Sequence, residues 1–326
     1  MSAIAEGRTI LVTGAHGQIG SELVPALQER YGADRVIASD LRMTPPGGSL
    51  AGRHIHLDCT DPQQILETIR RNGVGAIFHL AAMLSATAET RPQTAWQLNM
   101  NSLYTVLEAA RQYDCSVFFP SSIGAFGPST PRVDTPQETI QRPNTIYGVT
   151  KAAGELLCDY YATRFGLDTR GLRLPGLISH VAPPGGGTTD YAVEIFHQAI
   201  RYSHYTCFLR PGTRLDMMYM PDAIAAMIAL MEADASRLRY RNAYNVSAMS
   251  VAPEDIAAAI RGHVPDFLID YEIDPVRQAI ADSWPQRMDT SAARADWNFA
   301  PRYDLAAMSA DMLARVRARI ESARQA

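Results

Sequence analysis

A short apolar run followed by spaced glycines constrains the fold of this chain more than any other feature. Residues Thr9–Thr13 read Thr-Ile-Leu-Val-Thr, which is typical of a buried strand in a parallel sheet. Gly14, Gly17 and Gly20 then follow at intervals of three residues, a spacing that allows a tight turn, close approach to a ligand, and packing of a helix on the strand. A helix that begins near Gln18 would direct free N–H groups at this loop. The pattern predicts a pyrophosphate site, although turn glycines are also common in ordinary loops.

An acidic residue at the end of the next predicted strand extends this site. Val36–Ser39 is followed by Asp40, and a carboxylate there can accept hydrogen bonds from both ribose hydroxyls of an adenosine. The same carboxylate would repel a 2′-phosphate, so we expect NAD and not NADP as the cofactor. Arg42 is close in sequence and favours the opposite choice.

Two later strand ends also carry residues suited to a dinucleotide. Asp58 and Cys59 follow a short predicted strand, at a position that usually lies by the adenine in this fold. Ala81 and Ala82 follow the fourth predicted strand, where small side chains leave room for the ribose and phosphates. Tight packing of a helix would explain the two alanines as well.

Strand and helix alternate through the first half of the chain, which predicts an α/β fold with a doubly wound parallel (Rossmann) sheet. We expect residues 1–175 to form the cofactor-binding domain with the catalytic residues. Residues 176–326 are expected to form a smaller α/β substrate lobe, with some chain exchanged between the two. Residues 183–190 contain three consecutive glycines and are either a lid over a site or a flexible connection.

The charge and composition favour a small-molecule ligand. The net charge is −4 and Lys and Arg form no run, so neither a nucleic acid nor a membrane surface is an expected partner. No apolar run is long enough to span a bilayer, and the first strand begins at Thr9, so we expect a cytoplasmic protein. The four cysteines are widely spaced, and no metal site is expected.

The long helix predicted over residues 94–113 carries more apolar residues than one core-facing stripe requires. A second long helix is predicted over residues 147–165. Packing of both helices against the same pair in a second copy would form a four-helix interface, so we expect a homodimer.

The second of these helices begins with a tyrosine and a lysine that predict acid–base chemistry. Tyr147 and Lys151 are four residues apart and therefore share one helix face. A lysine ammonium beside a phenol favours the phenolate, so we expect a lowered pKa at Tyr147 and a role as general base. Ser122 follows the fifth predicted strand, where its hydroxyl can hold a substrate oxygen beside the phenol. The same tyrosine–lysine spacing also occurs by chance at helix starts.

With these motifs the chain resembles the extended short-chain dehydrogenase/reductase family, whose members share an epimerase-like fold of two lobes. The motifs are Thr13-Gly-Ala-His-Gly-Gln-Ile-Gly20, His79-Leu-Ala-Ala82, Ser121-Ser122 and Tyr147-Gly-Val-Thr-Lys151. The resemblance implies that Tyr147 is the acid/base, that Lys151 lowers its pKa and binds the nicotinamide ribose, and that Ser122 positions the reacting oxygen. It also implies a proton path through Asn99. The implied cofactor contacts are Gly14, Gly17, Gln18, Ile19, Gly20, Asp40, Arg42, Asp58, Cys59, Leu80, Ala81, Ala82, Asn99, Tyr147, Lys151 and Leu174.

Within that family, the second half of the chain is most similar to L-threonine 3-dehydrogenases of the short-chain type. The matching segments are Pro184–Ala192, Thr213–Tyr219, Tyr244–Met249, Trp284-Pro and Ala293–Trp297. The implied reaction is NAD-dependent oxidation of L-threonine at C3, a step of amino-acid catabolism that gives 2-amino-3-oxobutanoate. The expected substrate contacts are Ser85, Ser122, Tyr147, Gly187, Thr188, Thr189 and Trp284, with Asp190 among the polar groups of the same loop.

Several alternatives remain open at this point. A nucleotide-sugar epimerase or dehydratase with tightly bound NAD would use the same Ser122, Tyr147 and Lys151, and a non-catalytic NAD-sensing regulator would need none of them. Phe126-Gly127 stands where sugar-nucleotide members commonly have tyrosine and glycine, and we interpret it as a change in the pocket lining. Trp284 is a pocket wall or a core residue. Arg214 either binds an anion or pairs with Asp216.

Overall fold

A computed structural model describes residues 2–4, 6–42, 52–182 and 185–325 of the chain. The strands are β1 Thr9–Thr13, β2 Val36–Asp40, β3 Arg53–His56, β4 Val74–His79, β5 Ser116–Ser122, β6 Thr169–Leu174, β7 Gly176–Ile178, β8 His204–Cys207, β9 Leu215–Tyr219, β10 Tyr244–Asn245, β11 Met249–Val251 and β12 Leu268–Tyr271. The helices are α1 Gly20–Tyr31, α2 Pro62–Asn72, α3 Ser85–Thr90, α4 Pro92–Trp96, α5 Ser102–Tyr113, α6 Ile146–Phe165, α7 Tyr191–Tyr202, α8 Met220–Glu232, α9 Pro253–Arg261, α10 Pro275–Asp282, α11 Ser291–Trp297 and α12 Leu305–Gln325.

The large sheet contains seven strands in the order β10-β6-β5-β4-β1-β2-β3. Each neighbouring pair of strands is parallel, from β2 with β3 at one edge to β10 with β6 at the other. The reversal of strand order beside β1 is the arrangement of a doubly wound sheet, in which ligands bind beyond the carboxyl ends of the strands. The predicted fold class is confirmed.

The second lobe is built on short strands that pair over long sequence distances. A three-stranded sheet has the order β11-β9-β7, and a two-stranded parallel sheet pairs β12 with β8. Strand β10 lies in this half of the sequence but joins the large sheet beside β6. The pairing agrees with the expected exchange of chain between the lobes, and both that exchange and the division at residue 175 stay predictions.

Apolar side chains cover both faces of the large sheet and fill the second lobe separately. One face of the large sheet packs on α1 and α8 through residues such as Leu23 and Met227, and the other packs on α2 and α5 through Ile65 and Leu107. The second lobe has its own cluster around α7, α9 and α12. The large sheet and the second lobe therefore each have their own apolar packing, which gives a rigid framework to a site formed between them.

The structure corrects several element assignments made from the sequence. The predicted helix over residues 94–113 is a run of α4, a π-helical turn over Gln97–Asn101, and α5. Strands β7, β9, β11 and β12 and helices α3, α10 and α11 were not predicted. The proline- and glycine-rich connection at residues 45–48 lies outside the described residues, as do Pro183 and Pro184.

Candidate active site

Two adjoining clefts lie at the carboxyl edge of the large sheet, and both are bordered by Leu80 and Ala82 at the end of β4. The first cleft is also lined by Gln18, Ile19, Leu84, Ser85, Pro120, Ser121, Ser122, Ile123, Tyr147, Lys151, Leu174, Pro175, Gly176, Leu177, Gly187, Thr188, Thr189, Asp190 and Trp284. The second is lined by Gly14, Gly17, Asp40, Leu41, Arg42, Leu57, Asp58, Cys59, Ala81 and Leu98. The edge therefore offers one continuous groove that passes from Asp40 to Tyr147.

The glycine-rich loop has the geometry of an anion site. Gly14 has a φ of +66°, and a Cβ there would lie 2.7 Å from the backbone nitrogen of Ala81, so neither the conformation nor the space suits another residue. A Cβ on Gly20 would lie 2.6 Å from the Cα of Ala15, which shows how closely α1 approaches the loop. The backbone N–H groups of Gln18 and Ile19 make no hydrogen bond with other residues that the structure describes. These free donors at the start of α1 can receive a pyrophosphate.

The carboxylate of Asp40 is fixed at the end of β2. Its two oxygens accept hydrogen bonds from the N–H groups of His16, at 3.0 Å, and Arg42, at 3.1 Å. The Arg42 guanidinium lies 3.5 Å from the carboxylate and donates to the carbonyl oxygen of His16. Arg42 is thus held by Asp40 and the loop, which favours recognition of ribose hydroxyls over a 2′-phosphate.

Tyr147 is held against the Ser122 turn by two glycines and a helix cap. Thr145 caps α6, with its hydroxyl accepting from the N–H of Gly148 at 3.0 Å. A Cβ on Gly124 would lie 3.1 Å from the Tyr147 ring, and a Cβ on Gly148 would overlap the carbonyl oxygen of Gly124. Because both side chains are absent, α6 approaches the end of β5 and brings the phenol beside Ser122.

Lys151 lies one helical turn further on and is buried. Its ammonium donates to the carbonyl oxygen of Pro120 at 2.6 Å and lies 5.5 Å from the centre of the Tyr147 ring. Burial lowers the pKa of Lys151 to about 8, while the nearby Glu155 carboxylate acts in the opposite direction. The ammonium is therefore still the main form at neutral pH.

The pKa of Tyr147 departs from its ordinary value in the direction opposite to our expectation. Burial raises the pKa of the phenol, and a hydrogen bond with Ser122 offsets part of that increase. The expectation of a lowered pKa took account of the Lys151 charge but not of the loss of water around the ring, which is the largest cause of the shift.

Asn99 lies in the π-helical turn behind the cleft. Its side chain accepts from the N–H of Met83 at 2.8 Å and donates to the hydroxyl of Thr150 at 3.1 Å. Thr150 in turn donates to the carbonyl oxygen of Tyr147 at 2.8 Å. Asn99 does not line either cleft, so its geometry supports a role in holding β4 and α6 together and gives no support to the expected cofactor contact.

Part of the wall of this cleft comes from the start of α3 and the turn before α7. Ser85 and Thr188 hydroxyls lie 3.2 Å apart, and Ser85 also accepts from the N–H of Thr188 at 3.3 Å. Trp284 is 4% exposed. It borders the cleft and also packs in the core of the second lobe, so both interpretations made from the sequence hold. All of the predicted substrate contacts line this one cleft.

Comparison with known proteins places the chain in a family. Residues 10–247 match the NAD dependent epimerase/dehydratase family, which covers well over half of the chain. The chain belongs to this NAD dependent epimerase/dehydratase family. Its cofactor is NAD, in agreement with the sequence-based prediction.

Individual members of the epimerase/dehydratase family are similar over nearly their full length. An uncharacterized epimerase/dehydratase of Staphylococcus aureus is 55% identical over 307 residues, or 94% of this chain and 96% of that protein. The structure of L-threonine dehydrogenase from Clostridium difficile has 52% identity and a TM-score of 0.94, covering 96% of this chain and 98% of its own. A GalE-like L-threonine dehydrogenase from Cupriavidus necator has 54% identity and a TM-score of 0.92, covering 94% and 99%.

The residues present fit the cofactor of the family. Free N–H groups at the start of α1 suit its pyrophosphate, Asp40 suits the adenosine ribose, and the groove between them continues to Lys151 and Tyr147. Among the described residues there is no cluster of His, Cys, Asp and Glu able to hold a metal ion, and no described helix is long and apolar enough to cross a membrane.

Two sequence interpretations near this site are wrong. Phe126 does not line the cleft; it is 1% exposed and packs in the core of the second lobe. The centre of its ring lies 5.0 Å from the guanidinium carbon of Arg173. Arg214 does not pair with Asp216. Its guanidinium lies 2.8 Å from Asp255, because Asp216 is buried and accepts from the Ser247 hydroxyl and the N–H of Met288.

Other lining residues were missed. They are Leu41, Leu57, Leu84, Leu98, Pro120, Ser121, Ile123, Pro175, Gly176 and Leu177. Leu41, Leu57, Ile123, Pro175 and Gly176 lie within two residues after a strand of the large sheet, so a rule that takes the two residues after each parallel strand would have found these five.

Proposed function

We propose that this protein oxidises L-threonine at C3 to 2-amino-3-oxobutanoate with NAD as the oxidant. The chemistry that bound NAD would supply is a hydride acceptor at C3 of the substrate. Side chains of the protein accept the proton of the substrate hydroxyl and position the substrate. The similarity to two L-threonine dehydrogenases at more than 50% identity over 94–96% of the chain is the observation that carries this proposal.

Tyr147 and Ser122 are assigned to the reacting hydroxyl. Ser122 holds the substrate oxygen beside the phenol, and the deprotonated Tyr147 takes the hydroxyl proton as the hydride leaves C3. Both side chains border the same cleft, and the close packing of Gly124 on the Tyr147 ring fixes the phenol relative to Ser122. A fixed acceptor for the proton removes the need for a water molecule in the step.

Lys151 is assigned to stabilise the deprotonated phenol and to bind the nicotinamide ribose. Its ammonium is one turn from Tyr147 on α6 and is anchored on the Pro120 carbonyl, so the positive charge cannot move away into solvent. A buried charge acts more strongly on its neighbour than an exposed one because water does not screen it.

The substrate end of the cleft suits a small polar molecule. The turn at residues 185–188 lies against α3: a Cβ on Gly185 would be 3.1 Å from Leu84, and one on Gly186 would be 2.5 Å from the Thr87 hydroxyl. This contact encloses Ser85, Thr188 and Thr189 within the cleft. Whether residues 183–190 open and close as a lid stays a prediction.

The test is a screen of purified protein with NAD and separate candidate substrates. L-threonine should give continuous NADH formation, while D-threonine should give none. L-serine, which lacks one methyl group, should react about 10–200-fold less efficiently. Turnover of a UDP-sugar without net NADH, and no reaction with L-threonine, would replace this proposal by the epimerase alternative.

We further propose that the protein is a homodimer through α5 and α6. These helices expose large apolar side chains although they pack on the sheet: Tyr104 is 54% exposed, Leu156 67%, Tyr160 54% and Phe165 42%. A contiguous apolar face of this kind on a folded protein is typical of a contact with another chain.

A further inference from the structure

Asp190 has one carboxylate oxygen bound and one free. It lies at the end of the glycine turn, directly before α7, and is 7% exposed. Its Oδ2 accepts from the N–H groups of Gly186 and Gly187, both at 2.8 Å. Its Oδ1 has no hydrogen bond to any residue that the structure describes. Since Asp190 borders the cleft that contains Ser122 and Tyr147, this oxygen remains available to a bound molecule.

Few charged side chains line the cleft. Among the described residues that line it, Asp190 is the one acid and Lys151 is the one base. Lys151 is already assigned to Tyr147. A cleft lined by a carboxylate oxygen that has no partner among the described residues is suited to a ligand that carries a positive group.

No lysine or arginine among the described residues forms an ion pair with Asp190. Burial raises the pKa of its carboxyl group, whereas the two glycine N–H groups and the more distant Arg277 lower it. Arg277 is itself within 3.6 Å of Asp274 and stacks at 4.2 Å from the Phe208 ring. The nearby Glu194 carboxylate adds a repulsion. A partly buried carboxylate in these surroundings is stabilised when a ligand brings a positive charge to it.

We propose that Asp190 Oδ1 receives the α-ammonium group of the amino-acid substrate and thereby selects an amino acid over a hydroxy acid. This inference rests on the proposed function of the same cleft. It leaves the hydroxyl pair of Ser85 and Thr188 for the substrate carboxylate, which needs donors.

The test compares Asp190→Asn with the wild-type protein on two substrates. Asparagine keeps an oxygen for the two glycine N–H groups but removes the charge. The substrates are L-threonine and (R)-3-hydroxybutanoate, which has the same configuration at the reacting carbon and no amino group. The value of kcat/KM for L-threonine should fall roughly 100-fold, as expected for the loss of a charge-assisted hydrogen bond, with less than about a threefold change for the hydroxy acid.

A second measurement does not depend on turnover of the poorer substrate. Competitive inhibition by L-2-aminobutanoate and by butanoate reports binding with and without the ammonium group. Wild type should bind the amino acid more tightly, and Asp190→Asn should remove that preference. Glu194→Gln is the matched control: it removes a neighbouring charge that does not line the cleft, and both preferences should remain.

An equal fall in kcat/KM for both substrates would show that Asp190 acts only by holding the turn in shape. An unchanged kcat/KM for both substrates would show that the ammonium group binds elsewhere. Both results overturn the inference while the protein remains a threonine dehydrogenase. Failure of wild type to oxidise L-threonine would instead remove the proposed function itself.

Discussion

Two buried ionisable side chains, Tyr147 and Lys151, carry the proposed chemistry at the scale of single residues. Each has lost most of its contact with water, so the pKa of the phenol is raised and the pKa of the ammonium is lowered to about 8. Both shifts favour the neutral forms, and the Ser122 hydrogen bond and the Glu155 charge oppose them. The base form of Tyr147 is therefore the minor species at neutral pH.

Threonine oxidation should consequently depend on pH. Because the deprotonated phenol is the base and its pKa is raised, a rise in pH increases the active fraction. We expect kcat/KM for L-threonine to rise by nearly tenfold per unit between about pH 5.5 and pH 7, a range below the Lys151 pKa of about 8 in which most of that lysine keeps its proton. A flat profile over this range would contradict the assignment of Tyr147 as the base.

Replacement of Tyr147 separates chemistry from cofactor binding. Tyr147→Phe keeps the ring that packs on Gly124 but removes the proton acceptor. We expect kcat to fall at least about 1,000-fold, while the dissociation constant of NADH, measured by fluorescence titration, stays within about threefold. Retained turnover would show that another group takes the proton.

The sequence predicted which residues meet at this site but not their energetics. The carboxyl ends of parallel strands meet at one edge of a sheet, which allowed us to predict Gly14, Asp40 and Ser122. Residues four apart share one face of a helix, which allowed us to predict Tyr147 with Lys151. The direction of the Tyr147 pKa shift depends on burial by residues from several elements, which no local pattern records. The partner of Arg214 was missed for the same reason: Asp255 comes from another element.

At the scale of secondary structure elements, a buried arginine joins the large sheet to a helix. Arg170 on β6 is fully buried, and its guanidinium donates to the carbonyl oxygens of Leu230 and Ala233, both at 2.7 Å, at the end of α8. It also pairs with Asp168 at 2.8 Å. The arginine thereby satisfies carbonyl groups that the helix leaves without partners.

Arg170→Met should therefore destabilise the fold by about 3 kcal/mol, because it leaves the buried carbonyl groups at the end of α8 without their donor, while Asp168 keeps its pair with Arg241. Urea-induced unfolding measures this change. Arg71→Met is the control: Arg71 is 67% exposed and pairs with Glu67 on the surface of α2, so its loss should cost less than about 0.5 kcal/mol. Equal costs for the two variants would contradict the role given to Arg170.

Most of the elements that the sequence did not reveal belong to the second lobe, and several of them are short. Strands β7 and β11 have three residues each, and β9 pairs with both from distant parts of the chain. A strand of this length shows too little alternation of apolar and polar residues to be recognised. The large sheet was predicted because its strands are longer and alternate with helices.

At the scale of the whole molecule, the cleft is formed where the second lobe covers the carboxyl edge of the large sheet. Strand β5 supplies Ser122, and helix α6 supplies Tyr147 and Lys151. The chain beyond β7 supplies Thr188, Asp190 and Trp284. Each copy thus contains a full set of the residues assigned to the reaction. The apolar face of α5 and α6 lies outside this set, so assembly and chemistry can be tested separately.

The double variant Leu156→Glu with Tyr160→Glu should convert the proposed dimer to a monomer, because four like charges would be buried across the interface. Light scattering during gel filtration measures the mass. Val276→Glu, at a residue of α10 that is 57% exposed, should leave the mass unchanged. A wild-type protein that is monomeric at micromolar concentrations would contradict the dimer.

In the proposed reaction, C3 of L-threonine gives its hydride directly to the cofactor. L-threonine carrying deuterium at C3 tests this most directly, with mass spectrometry of the reduced cofactor. The NADH formed should contain a single deuterium atom. Unlabelled NADH, or exchange of the label into a sugar nucleotide with no NADH released, would contradict it.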